Sequence, residues 1–443
     1  MRIQLSDHFT YGRIIRFVAA PIAMMLFTSV YGMVDGLFVS NFVGKTPFAA
    51  INLIMPYLAT LSAVGYMFGT GGSAIIGKTL GEQRPDKANE YFSLLVYSSI
   101  VIGFIITVLG ILFMRPVSMF FGARGELLDC CILYGDVTMI SMIPYMLMSM
   151  FDSLFITAEK PKLGFWVTVA AGCMHILLDA IFIVDLHWGL MGASIATVVS
   201  EFTGGCIPLF YFFRKNDSLL QIGKTHFYGS VLVKTCVNGL SEMASTLSVS
   251  FVAILFNFQL MRVAGENGVA AYGVVMYVNF IYMGVFFGYS MGVAPVISYH
   301  FGAKNHAELK NLFTKSIRLM ALAGIGLAGI AAALTVPVCQ IFVGYDQALF
   351  ELTKHGYLII AFSFIFIGYN YFGSYFFTAL NNGVISAIIA LLRSFVFKSA
   401  AVLILPVFWG VDGIWLSAIV AEIMAMIIVT IFLYRYKDRY HYL

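Results

Sequence analysis

The sequence predicts an all-α integral membrane protein of about twelve transmembrane helices in two six-helix repeats, and three observations predict it. Of the 443 residues, 60% are hydrophobic and only 11% are charged, against roughly 25% charged in an ordinary soluble domain. Continuous apolar runs long enough to cross ~30 Å of hydrocarbon, about 20 residues each, recur about twelve times. The chain also matches itself, without a gap, at an offset of 221 positions. Gly44 falls on Gly265, Ala49 and Ala50 on Ala270 and Ala271, Gly81 on Gly302, and Ser153 on Ser374. Further on, Thr157 falls on Thr378, Trp188 on Trp409 and Glu201 on Glu422. Barrel strands are excluded, because they run ~10 residues and alternate in polarity.

The first repeat, residues 1–213, is expected to hold helices near 14–40, 47–76, 91–114, 131–157, 163–185 and 189–213. Residues 214–230 (RKNDSLLQIGKTHFYGS) are polar and form the natural linker. The second repeat, 231–443, returns to the pattern near 231–261, 268–300, 314–337, 353–378, 384–407 and 410–434. An even number of helices per repeat makes both copies enter the membrane in the same direction. The halves are therefore expected to be related by an axis along the membrane normal. Lys and Arg crowd one set of loops, from Arg2, Arg13 and Arg16 through Lys78, Arg84, Lys87, Lys160 and Lys162 to Arg214, Lys215, Lys304 and Lys310. The other set keeps only Lys45, Arg115, Arg124, Arg262 and Lys354. By the positive-inside rule both termini are expected in the cytoplasm, in a multi-pass protein of a bacterial inner (plasma) membrane. The basic pI of about 8.6 reflects that bias, and no nucleic-acid partner is expected. The six cysteines show no metal spacing, and the adjacent Cys130 and Cys131 read as incidental. Two fused repeats in a membrane protein point to a transporter with its substrate between the halves.

Ionisable residues in hydrocarbon cost at least ~2.5–3.5 kcal/mol on insertion scales, so each needs a reason. Asp35 lies late in the first helix, and its repeat partner is Phe256; Asp179 lies in the fifth, opposite Ala400. An acid kept in one copy only points to function rather than to a symmetric scaffold. His175 precedes Asp179 by four residues and shares its helix face, as in proton relays; a structural histidine is the alternative. Glu201 is grouped with these first-half candidates, although its duplication as Glu422 also fits a shared structural role. Glu242, unmatched in the first half, is a candidate to face a cationic substrate, or a helix-start carboxylate favoured by the dipole. Asn257, Asn279 and Asn370 are mid-helix polar groups suited to the same pocket. Arg393 and Lys398, five apart on one helix, are expected on different sides, and Asp152 is expected at an interface. The absence of H-E-x-x-H argues against a zinc enzyme. The absence of G-x-x-x-x-G-K-[ST] argues against ATP. No enzyme activity and no cofactor are expected.

The late Asp35 resembles the multidrug and toxic compound extrusion (MATE) family, specifically its MepA-like bacterial branch. So do the paired stretches GYMFGTGGSAIIGKTLGEQRPDKAN and GYSMGVAPVISYHFGAKNHAELKN, together with LDAIFI, WGLMGASIAT and NGLSE…LFN. The resemblance runs from about 10 to 435. It implies two six-helix lobes around a V-shaped cavity, and export of organic cations or amphipathic drugs in exchange for protons or sodium. Mapped by local motif, the family's cation-coupling residues would be Asp35, Tyr134, Asp179 and Thr197, with His175 where the family has an Asn. Imidazole carries protons but replaces an oxygen ligand poorly. The coupling ion is therefore expected to be H+ rather than Na+, with Asp35 and Asp179 as the sodium alternative. A lipid-linked saccharide flippase of the same superfamily is the competing function. The protein is expected to act as a monomer.

Overall fold

Inside hydrocarbon every backbone N–H and C=O needs an internal partner. The computed structural model, which describes residues 3–443, meets this with helices; among the described residues there is no strand. Arg2 lies outside the described residues. Helix α1 (Tyr11–Phe38) runs on through a π turn, Val39–Val43. Next come α2 (Lys45–Gly81), α3 (Pro85–Phe120), α4 (Glu126–Met139), α5 (Met142–Thr157), α6 (Pro161–Asp179) and α7 (Gly189–Phe213). Helix α6 also continues in a π turn, Ala180–Asp185. The second half holds α8 (Gly229–Gly302), α9 (His306–Val343), α10 (Gln347–Ala361), α11 (Phe364–Ala379), α12 (Gly383–Leu391) and α13 (Lys398–Tyr440). A third π turn, Leu392–Phe397, joins α12 to α13.

A straight α8 of 74 residues would be roughly 110 Å long, far beyond a bilayer. It folds back at Gly265 (φ 64°, ψ −154°), so that Phe256 stacks on Tyr272 with ring centroids 4.9 Å apart. Helix α13 folds back likewise at Gly410 (φ 55°, ψ −130°). The first half turns at the equivalent glycines, Gly44 (φ 121°) and Gly189 (φ 56°), positions that only a residue without Cβ takes up freely. Eight helices are long and apolar enough to span. Two of them are these hairpins, and two bent pairs span together, which gives twelve crossings.

The expected continuous helices at 131–157 and 353–378 are broken. Helices α4 and α5 meet at 61°, α10 and α11 at 47°. A serine sits at each break, its Oγ donating to the carbonyl three residues back: Ser141 to Thr138 at 2.9 Å and Ser363 to Ile360 at 2.6 Å. Such back-bonding competes with the helix ladder, and Pro144 removes one more donor in the first half. These breaks also correct the gapless repeat. Ser141 and Ser363 are 222 apart, as are Glu159 and Asn381, the left-handed residues closing the next turns. The second half gains one residue here and loses it before Gly410. The matches Ser153–Ser374 and Thr157–Thr378 are thus out of structural register by one.

Where the halves meet, glycines let backbones touch, the usual means of close helix association in lipid. A Cβ on Gly81 would lie 1.9 Å from the Tyr299 carbonyl oxygen, and one on Gly302 would lie 2.0 Å from that of Lys78. Gly81 and Gly302 are repeat partners, as are Lys78 and Tyr299, so the contact is reciprocal about a pseudo-twofold axis. Gly71 against Thr235 and Gly239 against Met67 are as close. This end of the molecule also carries the linker and the N-terminal segment. Leu5 N–H donates to Glu159 Oε1 (2.7 Å) in the first half, and Phe9 N–H donates to Glu308 Oε1 (2.8 Å) in the second. The linker is tied to α3 by bonds from Gln221 N–H to Asn89 and from Gly223 N–H to Ser93. The halves are packed shut at this end, and a cavity lies between them above it.

Candidate functional site

Helix α1 reaches α6 at Gly172, where an added Cβ would stand 2.5 Å from the Phe27 ring. That crossing brings Asp35 to His175, whose Nε2 lies 3.5 Å from Asp35 Oδ1 and 3.5 Å from Asp179 Oδ2. Helix α7 is held to α6 by Ser200 Oγ donating to the Ala171 carbonyl (2.9 Å), and it presents Thr197 Oγ1 to the same Nε2 at 3.5 Å. Asp179 is fully buried, and neither of its carboxylate oxygens has a hydrogen-bond partner among the described residues. A buried carboxylate without donors is costly, so this cluster has room for a positive charge. One ligand atom from each of Asp35, His175 and Asp179 fits within 4.8 Å of the others.

Tyr134 and Thr197 line a small adjoining cavity of about 110 Å³ with Tyr145 and Glu201. Glu201 Oε2 lies 2.5 Å from Ser141 Oγ, a contact that ties α7 to the α4–α5 break. The five residues placed around His175 from the sequence therefore converge on one region. Three tyrosines there, Tyr31, Tyr66 and Tyr145, carried no sequence signal. Tyr31 packs 6.1 Å from the His175 ring, centroid to centroid. Asp152, expected at an interface, is partly buried on α5.

The main cavity, about 670 Å³, lies between the halves and meets the smaller one at Ala59. Met and aromatic side chains make up 11 of its 32 lining residues, including Met33, Tyr66, Phe256, Tyr272, Met276 and Phe280. Asn279 lines it. Asn257 is exposed elsewhere, Glu242 is buried off the lining, and Asn370 is fully buried behind the wall. There Asn370 Nδ2 donates to the carbonyl and Oε2 of Glu422, both at 2.8 Å. Glu422 also faces Lys398 Nζ at 3.3 Å. The repeat partners Glu201 and Glu422 thus have different partners, a hydroxyl in one half and an ammonium in the other.

Arg393 and Lys398 do not point to different sides; both line the cavity. Five residues on an α-helix turn through about 140° beyond a full circle. Arg393, however, lies within the π turn Leu392–Phe397 and Lys398 directly follows it, and the wider i→i+5 spacing brings the two back to one side. The Arg393 guanidinium stacks on Tyr371, its carbon 3.8 Å from the ring centroid.

Comparison with known proteins agrees with this geometry. The sequence pattern of the MatE family matches twice, over residues 21–181 and 243–401. The multidrug export protein MepA of Staphylococcus haemolyticus (strain JCSC1435) is 24% identical over 427 residues, covering 94% of this chain and 91% of that one. A crystal structure of MATE in the straight conformation superposes with a TM-score of 0.92 at 19% identity, covering 98% of this chain and 97% of that one. The outward-facing conformation of a multidrug resistance MATE family transporter of the MOP superfamily superposes at 0.89, with 19% identity and the same coverage.

Proposed function

The chain belongs to the MatE family, and from that premise we propose that it is a secondary exporter of organic cations and amphipathic drugs, driven by protons. The observation that carries the reading is the Asp35–His175–Asp179 cluster, present in one half and beside a drug-sized cavity. His175 stands between the two carboxylates, where a sodium ion would need oxygen. Protonated, it supplies the positive charge that Asp179 lacks; neutral, it leaves two carboxylates facing one nitrogen. Histidine makes that exchange near physiological pH. The residues fit a proton better than sodium, for which the cluster would give two carboxylates and the Thr197 hydroxyl around a ring nitrogen.

Export follows if proton and cargo exclude one another, since coupling requires differential affinity between states. With the termini cytoplasmic, the packed-shut end is the inner one and the cavity faces outward. A proton loading the first half from outside removes negative charge and weakens the hold on a cationic cargo, which leaves. The lobes then part at the glycine crossings and the cavity turns inward. The two cations on the second-half wall give the lipid-linked saccharide reading one observation in its favour. The test is ethidium efflux from proteoliposomes under a proton or a sodium gradient, for the wild type and Asp35→Asn. Proton-driven efflux lost in the variant is the expected result; efflux under neither gradient would overturn the reading.

A further inference from the structure

We propose that the second-half wall holds an acid-recognition subsite, in which Arg393 and Lys398 bind the carboxylate of an amphiphile whose other end is cationic. This rests on the export reading and specifies its cargo as zwitterionic. Three charged residues line the cavity: Arg393, Lys398 and Glu422. Their formal sum is one positive charge, which one carboxylate balances and a pyrophosphate would exceed.

Glu422 does not neutralise the pair. It is held in contact by Lys398 and twice by Asn370, and it acts on Arg393 only at longer range. Arg393 is only 4% exposed, its Nη1 has no hydrogen-bond partner, and no carboxylate pairs with it among the described residues. Glu242 acts on it from α8 at longer range only. Tyr371 supports one face of the guanidinium and leaves its edge for a ligand. A buried guanidinium without an anion is an incomplete site, and its planar fork matches a carboxylate. The π turn that aims both cations into one cavity is a form enriched at functional sites. The remaining wall, with Phe256, Tyr272, Met276 and Phe280, suits a flat aromatic body. The cationic end would then be free to compete with the proton at the first half.

The experiment uses full-length protein in proteoliposomes with three fluorescent probes: a rhodamine with a free carboxylate, its methyl ester, and ethidium. Wild type should bind and export the free acid about 10- to 100-fold better than the ester, the range of a charge-assisted pair. Arg393→Gln should erase that preference, with its folding checked by the gel-filtration profile and thermal-unfolding midpoint of the purified variant; Arg393→Lys should restore part of it. Equal handling of acid and ester by wild type, with ethidium still exported, overturns the subsite and leaves the export reading standing. A preference kept in Arg393→Gln overturns it as well. Displacement of the free acid by farnesyl pyrophosphate at lower concentration than the dye itself requires would assign the subsite to lipid phosphate instead. Failure of all three probes to move would overturn the export reading.

Discussion

Gly302→Ala tests whether the packed-shut end is a gate. The added Cβ would stand 2.0 Å from the Lys78 carbonyl oxygen, where ordinary contact begins at 3.4 Å, so α2 and α8 must part by about 1.4 Å. Neither partner can yield by a rotamer change, because both contacting atoms are backbone or bonded to it. Overpacking of this kind costs roughly 1–3 kcal/mol. If the halves separate at this crossing in the other state, only the shut state bears the cost, and the ratio of the two states shifts by about 5- to 150-fold. The shift is readable through Ser298, which is fully buried beside Gly77. A single cysteine at Ser298, in a chain with the six native cysteines replaced, should react with a membrane-impermeant maleimide faster by that factor when Gly302→Ala is added. Gly12→Ala is the control, because its Cβ would meet nothing within 4 Å. Unchanged labelling in Gly302→Ala, or equal acceleration by Gly12→Ala, would refute the gate.

Three further outcomes follow from the same geometry. Asp35→Asn should reduce gradient-driven efflux to background while downhill exchange of ethidium persists; retained uphill efflux would remove Asp35 from the coupling set. His175→Gln should flatten the pH dependence of efflux that the wild type shows, and a wild-type profile in the variant would show that another group carries the proton. Gly410→Ala places a side chain at φ 55°, ψ −130°, which costs about 1–3 kcal/mol. Its midpoint of thermal unfolding should fall relative to Gly12→Ala, and an equal midpoint would mean that the hairpin relaxes freely.

Apolar runs and the repeat point to the helices and to the unmatched acids Asp35 and Asp179, because lipid imposes those patterns on every residue, whereas Tyr134 and Thr197 follow only from the family resemblance. Spacing within a helix was less secure wherever the helix departs from 3.6 residues per turn. Arg393 and Lys398 were placed on opposite sides because nothing in LLRSFVFKSA announces a π turn. The bends at Ser141 and Ser363 were hidden for a related reason: a serine back-bonding to its own helix looks like any other small residue in an apolar run. Asn257, Asn279 and Asn370 are candidates for their polarity at mid-helix depth, and Glu242 as an unmatched acid near a helix start. Depth does not tell which way a side chain faces, and only Asn279 of that group lines the cavity. Tyr31, Tyr66 and Tyr145 were indistinguishable from the other tyrosines of a chain that holds 24.

The skeleton is close to symmetric, whereas the chemistry is not, and the π turns mark where the two separate. Glycine hinges and glycine crossings recur at a fixed offset because backbone geometry is what rocking lobes must share. The π turns do not recur in register: two follow Asp35 and Asp179 in the first half, and one carries Arg393 in the second. Each therefore belongs to its local charges rather than to the duplicated scaffold. The first half holds groups whose charge changes when a proton arrives, and the second holds an arginine whose charge does not. A cargo bridging the two would be gripped constantly at one end and conditionally at the other. In the proposed export cycle only the conditional end needs to respond to the proton, so a single histidine between two acids would be sufficient to couple the gradient to release.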